Sequence, residues 1–402
     1  MQQDRINNDM ETALGTVYSA FKAGVGLAIA AVMATAAQAE TLKIGLILPL
    51  TGSGASFGQA ARSGVKIAAA EVNAKGGLDV AGKKVDVEII AYDDQFKAAE
   101  ALSAYNRLVN RDGVKMLFVL SSVSTMAISG NADADGVIAL TSGSTTKPFG
   151  PNAKTMFRLY SPPTEFLTPL IGWLRTHVKE RRLVILNSND ETGWTQDDQS
   201  KKAFKAAGFD IIASELYEQS AKDFQPLLTK VMGLRPEVID LGAATPATAG
   251  LIVRQARELG FKGLFVKTSG SSPKEIVAAA GKESAEGTIT VLFADPGNPG
   301  FQRVADIYKK EFGQIPNEVI VSYYDAANVL MRAVAAAGTL TDTTKIAASF
   351  DKALPMQSLM GDQLTLGGKS KIGLDHQVMT VNFVGVIKNG EAVVVDKIYA
   401  DK

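Results

Sequence analysis

From residue 43 onward, short apolar runs alternate with amphipathic stretches that are long enough to form helices. This alternation is typical of parallel strands, because each is buried on both faces and a crossover helix must return the chain before the next strand. The pattern predicts two doubly wound α/β units of similar size, each built on four strands. The predicted strands are Lys43–Leu50, Val85–Tyr92, Met116–Leu120 and Val137–Thr141, followed by Leu183–Asn187, Ile211–Leu216, Val238–Gly242 and Leu264–Lys267.

The chain has 402 residues, which exceeds one ordinary α/β core and favours two or three domains. The segment 288–402 is too short for a third unit of the same kind. It can instead complete both units if the chain crosses between them more than once. In open α/β sheets, ligands bind beyond the carboxyl ends of the strands, so the cleft between two facing units is the predicted binding site.

The composition excludes several classes of function. Lysine plus arginine and aspartate plus glutamate number 42 each, so no net field attracts nucleic acid or an anionic membrane. The chain has no cysteine, which excludes disulfides, thiolate metal sites and a cysteine nucleophile. Its two histidines, His177 and His376, lack metal-binding partners one helical turn away. We therefore expect neither a metal site nor a cofactor.

The N-terminus has the pattern of an export signal. Lys22 precedes an apolar run from Ala23 to Ala36, which leads into the small-residue pattern Ala37-Gln38-Ala39. A run of about 14 residues is too short to span a bilayer, and small-x-small is a typical cleavage site. We expect residues 1–39 to be a signal peptide that is cleaved after Ala39, so that the mature chain resides in the periplasm.

A G-x-S-x-G pattern, Gly54-Ala55-Ser56-Phe57-Gly58, lies between a predicted strand and a predicted helix. It matches the nucleophile elbow of serine esterases, and His376 would complete the Ser…Asp…His order of such enzymes. The elbow places its serine on the turn directly after the strand, whereas Leu50-Thr51-Gly52-Ser53 intervene here. The main prediction is therefore a ligand-binding protein that is not an enzyme, and the alternative is a secreted serine esterase.

Two clusters of hydroxyl side chains follow successive strands of the first unit. The first is Ser121-Ser122-Val123-Ser124-Thr125, and the second is Thr141-Ser142-Gly143-Ser144-Thr145. Hydroxyls and free N–H groups at a helix N-terminus suit a carboxylate. Either cluster alone could be an ordinary helix cap, but the two together predict a shared anion site.

Trp194 ends the segment Asp190-Glu191-Thr192-Gly193-Trp194, which follows a predicted strand of the second unit. Its ring could stack on a ligand or cover the core of its own lobe. The sequence leaves both possibilities open.

Several segments resemble the type I periplasmic binding proteins of ABC transporters, in the branch that binds leucine, isoleucine and valine. The resemblance implies an α/β fold of two doubly wound, Rossmann-like lobes joined by a three-segment hinge, with the ligand in the interlobe cleft. On that analogy, residues 40–159 plus 291–376 form lobe one, and residues 160–290 plus 377–402 form lobe two. The resemblant segments are LKIGLILPLTGSGASFGQAARSGVKIAAAEVNAKGG at 42–77, AYDDQ at 91–95, SSVSTMA at 121–127, the helix end Arg254–Gly260, Tyr323–Ala327 and Asp375–Gln377.

The resemblance further implies a monomeric component of an ABC importer that delivers a small-molecule ligand to permease and ATPase subunits in the inner membrane. The carboxylate-binding serine of the family corresponds to Ser122, next to Ser121. The amide and the hydroxyl that complete that site correspond to Gly143 and Thr145. The aromatic residue of the first loop corresponds to Phe57, and the tyrosine of a later helix corresponds to Tyr324.

Lobe two departs from the family pattern. Ser269 stands where the amino-acid binders place a glutamate for the ammonium group, and Thr192 stands where they place a tyrosine. A buried ammonium group without a carboxylate partner costs several kcal/mol. We therefore expect a ligand that has a carboxylate but lacks an α-ammonium group, such as an aromatic or aliphatic acid, unless Asp190 or Glu191 replaces the missing acid.

Overall fold

The computed structural model describes residues 40–270 and 272–400, so the predicted signal peptide lies outside the described residues. Within that part of the chain, no helix has the length and hydrophobicity to cross a membrane. The strands are β1 Thr41–Leu48, β2 Leu78–Val80, β3 Lys83–Asp93, β4 Met116–Val119, β5 Ile138–Thr141, β6 Met156–Arg158, β7 Arg182–Ser188, β8 Asp210–Tyr217, β9 Val238–Asp240, β10 Leu264–Lys267, β11 Ile289–Leu292, β12 Met356–Gln357, β13 Gln363–Gly367, β14 Gln377–Met379, β15 Asn382–Lys388 and β16 Glu391–Ile398. The helices are α1 Ala55–Ala74, α2 Ala98–Asn106, α3 Ser122–Asp135, α4 Pro163–His177, α5 Glu191–Ala206, α6 Gln225–Met232, α7 Pro246–Glu258, α8 Pro273–Ala280, α9 Lys282–Ala285, α10 Pro299–Phe312, α11 Val319–Ala337, α12 Thr343–Ala348, α13 Phe350–Ala353 and α14 Lys369–Ile372.

Two sheets organise the described residues. The first has the order β12-β13-β14-β6-β5-β4-β1-β3-β2, and the second has the order β16-β15-β11-β10-β9-β7-β8. The central pairs of both sheets are parallel, and antiparallel pairs lie toward the edges. We call the first sheet with its helices lobe one and the second sheet with its helices lobe two. The predicted α/β fold of two doubly wound lobes is confirmed.

The last strands complete both sheets, as the length of the tail predicted. The strands β12, β13 and β14 extend the first sheet, while β15 and β16 form a hairpin at the edge of the second. The chain therefore passes between the sheets three times, after β6, after β11 and after β14. The predicted lobe boundaries themselves stay predictions, because the chain from Leu42 onward forms one compact unit.

The three crossing segments contact one another. The Ser161 hydroxyl in the first donates to the Thr380 carbonyl in the third at 3.0 Å, and the Thr380 amide donates back to the Ser161 hydroxyl at 2.8 Å. The rings of Tyr160 and Phe293 join the first segment to the second, with centroids 5.0 Å apart. Hydrogen bonds and ring contacts therefore hold the three crossing segments of the hinge together at the base of the cleft.

Close packing of α1 against α11 fixes the position of the α1 N-terminus. A Cβ on Gly64 of α1 would lie 2.3 Å from the carbonyl oxygen of Ile320, so only glycine permits this approach. Most residues of α11 are buried, which makes it a central helix of lobe one. This packing holds Phe57, in the first turn of α1, at the edge of the cleft.

Candidate functional site

A cavity lies between the carboxyl ends of the strands of the two lobes. It contains about 810 Å³ of space, part of it open to solvent. Lobe one contributes the start of α1 and the loops after β3, β4 and β5, and lobe two contributes the loops after β7, β8, β9 and β10. The cavity therefore occupies the location that the doubly wound pattern predicts for a ligand.

The start of α3 forms a polar wall of this cavity. Ser121 is the N-cap, and its hydroxyl accepts from the Ser124 amide at 3.0 Å and donates to the Ser124 hydroxyl at 2.9 Å. Ser124 donates in turn to the buried carboxylate of Asp94 at 2.6 Å. Ser122 and Val123 follow the cap and also line the cavity. Amides of a first helical turn have no acceptors within the helix, so this wall suits an anion.

The loop after β5 lies against the start of α3. The Thr145 amide donates to the Ser122 hydroxyl oxygen at 3.1 Å, so the hydroxyl hydrogen of Ser122 can point elsewhere. A Cβ on Gly143 would come within 3.0 Å of the Ser122 backbone, so any larger residue would be crowded at this close contact. The Gly143 amide, which the resemblance assigns to the ligand, donates instead to the Thr141 hydroxyl at 2.8 Å.

A buried arginine supports this loop from behind. Arg158 of β6 is 1% exposed, and its guanidinium donates to the carbonyls of Gly143 and Thr145. It also lies 4.3 Å from the ring centroid of Phe149. Burial lowers the pKa of Arg158 to about 10, so the group stays charged at neutral pH. No motif predicted this residue, although a lone charge in the apolar run 156–160 was a usable signal.

Aromatic side chains line much of the remaining wall. Phe57, Phe96, Tyr160, Phe166 and Phe293 all face the cavity. Of these, Phe57 alone was predicted, because the others follow no motif or period in the chain. An apolar surface beside a polar helix start suits a ligand with an anionic group at one end and a hydrophobic body.

Lobe two contributes a polar wall with a single charge. Asp190 is the N-cap of α5, and its Oδ1 accepts from the Gly193 amide at 2.9 Å and from the Ser188 hydroxyl at 3.0 Å. Thr192 and Ser269 line the same wall. Among the described residues that line the cavity, Asp190 alone has an acidic or basic side chain of the Asp, Glu, His, Lys or Arg type.

Two buried ionisable groups lie behind the wall of lobe two. The Lys267 ammonium donates to the Gly242 carbonyl at 2.6 Å. The Asp240 carboxylate accepts from the Gly242 amide at 3.0 Å and from the Thr268 hydroxyl at 2.7 Å. Burial lowers the pKa of Lys267 and raises the pKa of Asp240, while their mutual attraction opposes both shifts. Neither side chain lines the cavity.

Side chains of α5 reach across the cleft to lobe one. Glu191 accepts from the Thr145 hydroxyl at 3.2 Å, and its carboxylate lies 3.0 Å from the Lys147 ammonium. Further along α5, the Gln199 side chain donates to the Ser144 carbonyl at 3.4 Å. These contacts join the two lobes directly, which is the arrangement of a closed cleft.

Three predicted site residues lie outside the cavity lining. Thr145 is 1% exposed and bonds to Glu191 rather than facing the cavity. Trp194 is 50% exposed, and its indole N–H donates to Asn189 at 3.0 Å. The Tyr324 hydroxyl donates to Glu71 at 2.7 Å. The predicted residues that line the cavity are Phe57, Ser121, Ser122, Gly143, Thr192 and Ser269.

The G-x-S-x-G pattern does not form a nucleophile elbow. Ser56 lies in the first turn of α1, and no hydrogen bond among the described residues joins it to a histidine. The His376 ring stacks on Phe157 with centroids 3.9 Å apart. A Cβ on Gly58 would lie 2.1 Å from the Pro49 carbonyl oxygen, so this glycine permits α1 to approach the end of β1. The geometry therefore gives the esterase alternative no support.

The lobes, the hinge and the cleft site agree with a family assignment from sequence. The family model described as periplasmic binding protein matches residues 41–391. The chain belongs to the periplasmic binding protein family. This assignment and the closed cleft both identify a solute-binding protein.

Several known proteins are similar to this periplasmic binding protein. A leucine-, isoleucine-, valine-, threonine- and alanine-binding protein of Pseudomonas aeruginosa is 28% identical over 327 residues, which cover 80% of this chain and 85% of that protein. The leucine-binding protein of Thermotoga maritima has a TM-score of 0.77 and 22% identity, covering 89% of this chain and 99% of that one. A solute-binding protein of an R. palustris ABC transporter, solved with benzoate, has a TM-score of 0.75 and 19% identity, covering 90% and 98%. These structures share the two-lobed fold.

Proposed function

We propose that this protein is the binding component of an ABC importer and captures a small carboxylate-bearing solute as its two lobes close. The observation that carries the proposal is the polar wall at the start of α3, where Ser122 lines the cavity beside the first-turn amides. Permease and ATPase subunits in the inner membrane then accept the solute from the monomeric protein.

A carboxylate at this wall receives hydrogen bonds from the Ser122 hydroxyl and from those first-turn amides of α3 that the Ser121 cap leaves free. Arg158 adds a fixed positive charge behind the adjoining loop after β5, where low dielectric weakens the screening of its attraction. Aromatic rings such as Phe57 and Phe293 then cover the apolar part of the solute. Closure of lobe two excludes water, which strengthens each of these polar contacts.

The names of curated relatives fit this chemistry. Two proteins of Pseudomonas aeruginosa, each 28% identical to this chain, are named for binding amino acids. Amino acids carry the carboxylate that the wall at α3 would accept. The export pattern at residues 1–39 also fits, since such a receptor works in the periplasm after its signal peptide is removed.

A thermal-shift screen of the mature protein tests the proposal. The probes are carboxylates paired with their amides, such as L-leucine with L-leucinamide and benzoate with benzamide. A ligand at a hundred times its dissociation constant stabilises the folded state by about 2.7 kcal/mol, which is a readily measured rise in Tm. We expect one or more of the acids to raise Tm and the matching amides to have much smaller effects. Equal stabilisation by acids and amides would contradict an anion site.

A further inference from the structure

We infer that Asp190 and Gln219 form a second subsite, on the wall of lobe two, which binds a protonated amine of the solute. The solute is then dipolar, with a carboxylate at α3 and an ammonium group at lobe two. This inference rests on the proposed function and replaces the sequence-based expectation of a ligand without an ammonium group.

One carboxylate oxygen of Asp190 is available to accept a hydrogen bond from a ligand. Its Oδ1 is held by the Gly193 amide and the Ser188 hydroxyl, which fixes the side chain at the start of α5. No described residue donates a hydrogen bond to its Oδ2. The carboxylate is therefore both oriented by the cap and open to a further donor from the cavity.

Gln219 supplies a second acceptor on the same wall. It lines the cavity, and its Oε1 is buried without a hydrogen-bond donor among the described residues. Gln219 lies two residues after the end of β8, and the Asn189 amide donates to the Tyr217 carbonyl at the end of that strand at 2.7 Å. Gln219 and Asp190 therefore lie on adjoining loops. A buried acceptor without a donor is costly, and a primary ammonium group has three N–H donors to offer both side chains.

The neighbouring charged groups are already paired. Glu191, the other candidate acid, bonds to Thr145 and Lys147 across the cleft. Lys267 lies behind the wall, bonded to the Gly242 carbonyl, and does not line the cavity. No described cation at the cavity surface therefore balances Asp190. An acid without an amine would bring a second negative charge into a cavity that already holds one.

The two subsites are close enough for one small molecule. The Thr145 amide donates to the Ser122 hydroxyl at 3.1 Å, and the Thr145 hydroxyl donates to Glu191 at 3.2 Å. Glu191 directly follows Asp190 in the chain. A single residue of lobe one therefore bridges the anion wall to the loop that carries Asp190. From this loop, Asp190 supplies the carboxylate that position 269, occupied by Ser269, does not provide.

Calorimetric titrations with matched probes test the subsite. The pairs are L-leucine with 4-methyl-2-oxopentanoate and L-phenylalanine with phenylpyruvate, which share a carboxylate and differ in the amine. We expect the wild-type protein to bind the amino acid of at least one pair. It should bind this amino acid at least about tenfold more tightly than the matching oxo acid, because the oxo acid lacks a hydrogen bond to a charged group. Asn remains a good N-cap, so Asp190→Asn should fold normally and lose most of this preference. Gln219→Met should reduce it by a smaller factor.

Glu191→Gln is the matched control, because it removes the adjacent carboxylate but leaves the charge at the cavity. It should change the affinities of both members of a pair by the same factor. Tighter wild-type binding of the oxo acids, or equal losses of both members in Asp190→Asn, would overturn the subsite. The proposed function fails separately, if Ser122→Ala leaves the affinity of every bound probe unchanged.

Discussion

The Lys147 ammonium lies 3.0 Å from the Glu191 carboxylate and joins the loop after β5 in lobe one to the first turn of α5 in lobe two. Glu191 is largely buried by this contact, whereas Lys147 remains mostly exposed. The ion pair can form only while the cleft is closed. It is therefore a contact that an open, ligand-free protein would lose.

Removing this ion pair should speed the release of the solute. A pair with an exposed partner such as Lys147 contributes about 0.2–1 kcal/mol, so Lys147→Ala should weaken binding by up to about fivefold. Most of the change should appear in the dissociation rate, as measured by stopped-flow fluorescence. Lys202→Ala is the control, because Lys202 pairs with Asp198 on the exposed face of the same helix at 2.7 Å. Equal effects of the two variants would show that the pair does not support closure.

Tyr324→Phe should leave solute affinity unchanged, although the family resemblance assigns Tyr324 to the ligand. Its hydroxyl donates to Glu71 at 2.7 Å and it does not line the cavity. Losing that hydrogen bond to a carboxylate should lower the free energy of unfolding by about 1.5–3 kcal/mol. Urea unfolding and calorimetric titration of the same variant separate the two effects. A large loss of affinity with normal stability would place Tyr324 in the binding site after all.

Asp325 should make stability depend on pH. It is buried on α11, accepts from the Ser358 hydroxyl at 2.6 Å, and burial raises its pKa to about 6. Because the pKa of an unfolded aspartate is about 4, the folded state binds more protons between about pH 4 and pH 6. The stability from this group is therefore present at low pH and lost as the pH rises through about 6.

Asp325→Asn should remove this dependence. The difference in free energy of unfolding between wild type and variant should change by about 2–3 kcal/mol between about pH 4 and pH 7, in the direction that favours the variant at high pH. Urea unfolding at several pH values measures it, with exposed Asp351→Asn as the control. A constant difference across this range would mean that Asp325 has an ordinary pKa in the folded protein.

The mature chain should begin at Glu40. Export followed by cleavage after Ala39 removes residues 1–39, and mass spectrometry of the protein recovered from a periplasmic fraction would show the resulting N-terminus. A protein found only in the cytoplasm, with residues 1–39 intact, would contradict the export proposal.

The sequence predicted the central strands well, since a strand buried on both faces leaves a continuous apolar run. It missed β6, Met156–Arg158, because three residues that include an arginine carry no such run. The hinge contact between Ser161 and Thr380 joins residues 219 positions apart, and no local pattern in one chain can reveal it.

The candidate site was predictable where its residues follow strand ends. The hydroxyl of Ser122 was found this way, whereas Phe96 and Phe293 line the cavity from loops without a recognisable motif. No sequence pattern distinguished Asp190 from Glu191 as the acid that replaces the missing glutamate. Only the structure separates them, because one carboxylate caps α5 at the cavity and the other is bonded across the cleft.

The most direct test of the account measures how Ser122 distinguishes a carboxylate from its amide. Calorimetric titrations compare wild type, Ser122→Ala and the control Ser129→Ala, which lies further along α3, with the best acid of the screen and with its amide. A hydrogen bond to a charged group contributes about 1.5–3 kcal/mol, so Ser122→Ala should weaken acid binding by about tenfold to a hundredfold. Binding of the amide should change much less, and Ser129→Ala should alter neither. An unchanged affinity of Ser122→Ala for the acid, or the same loss for acid and amide, would contradict the anion site at the start of α3.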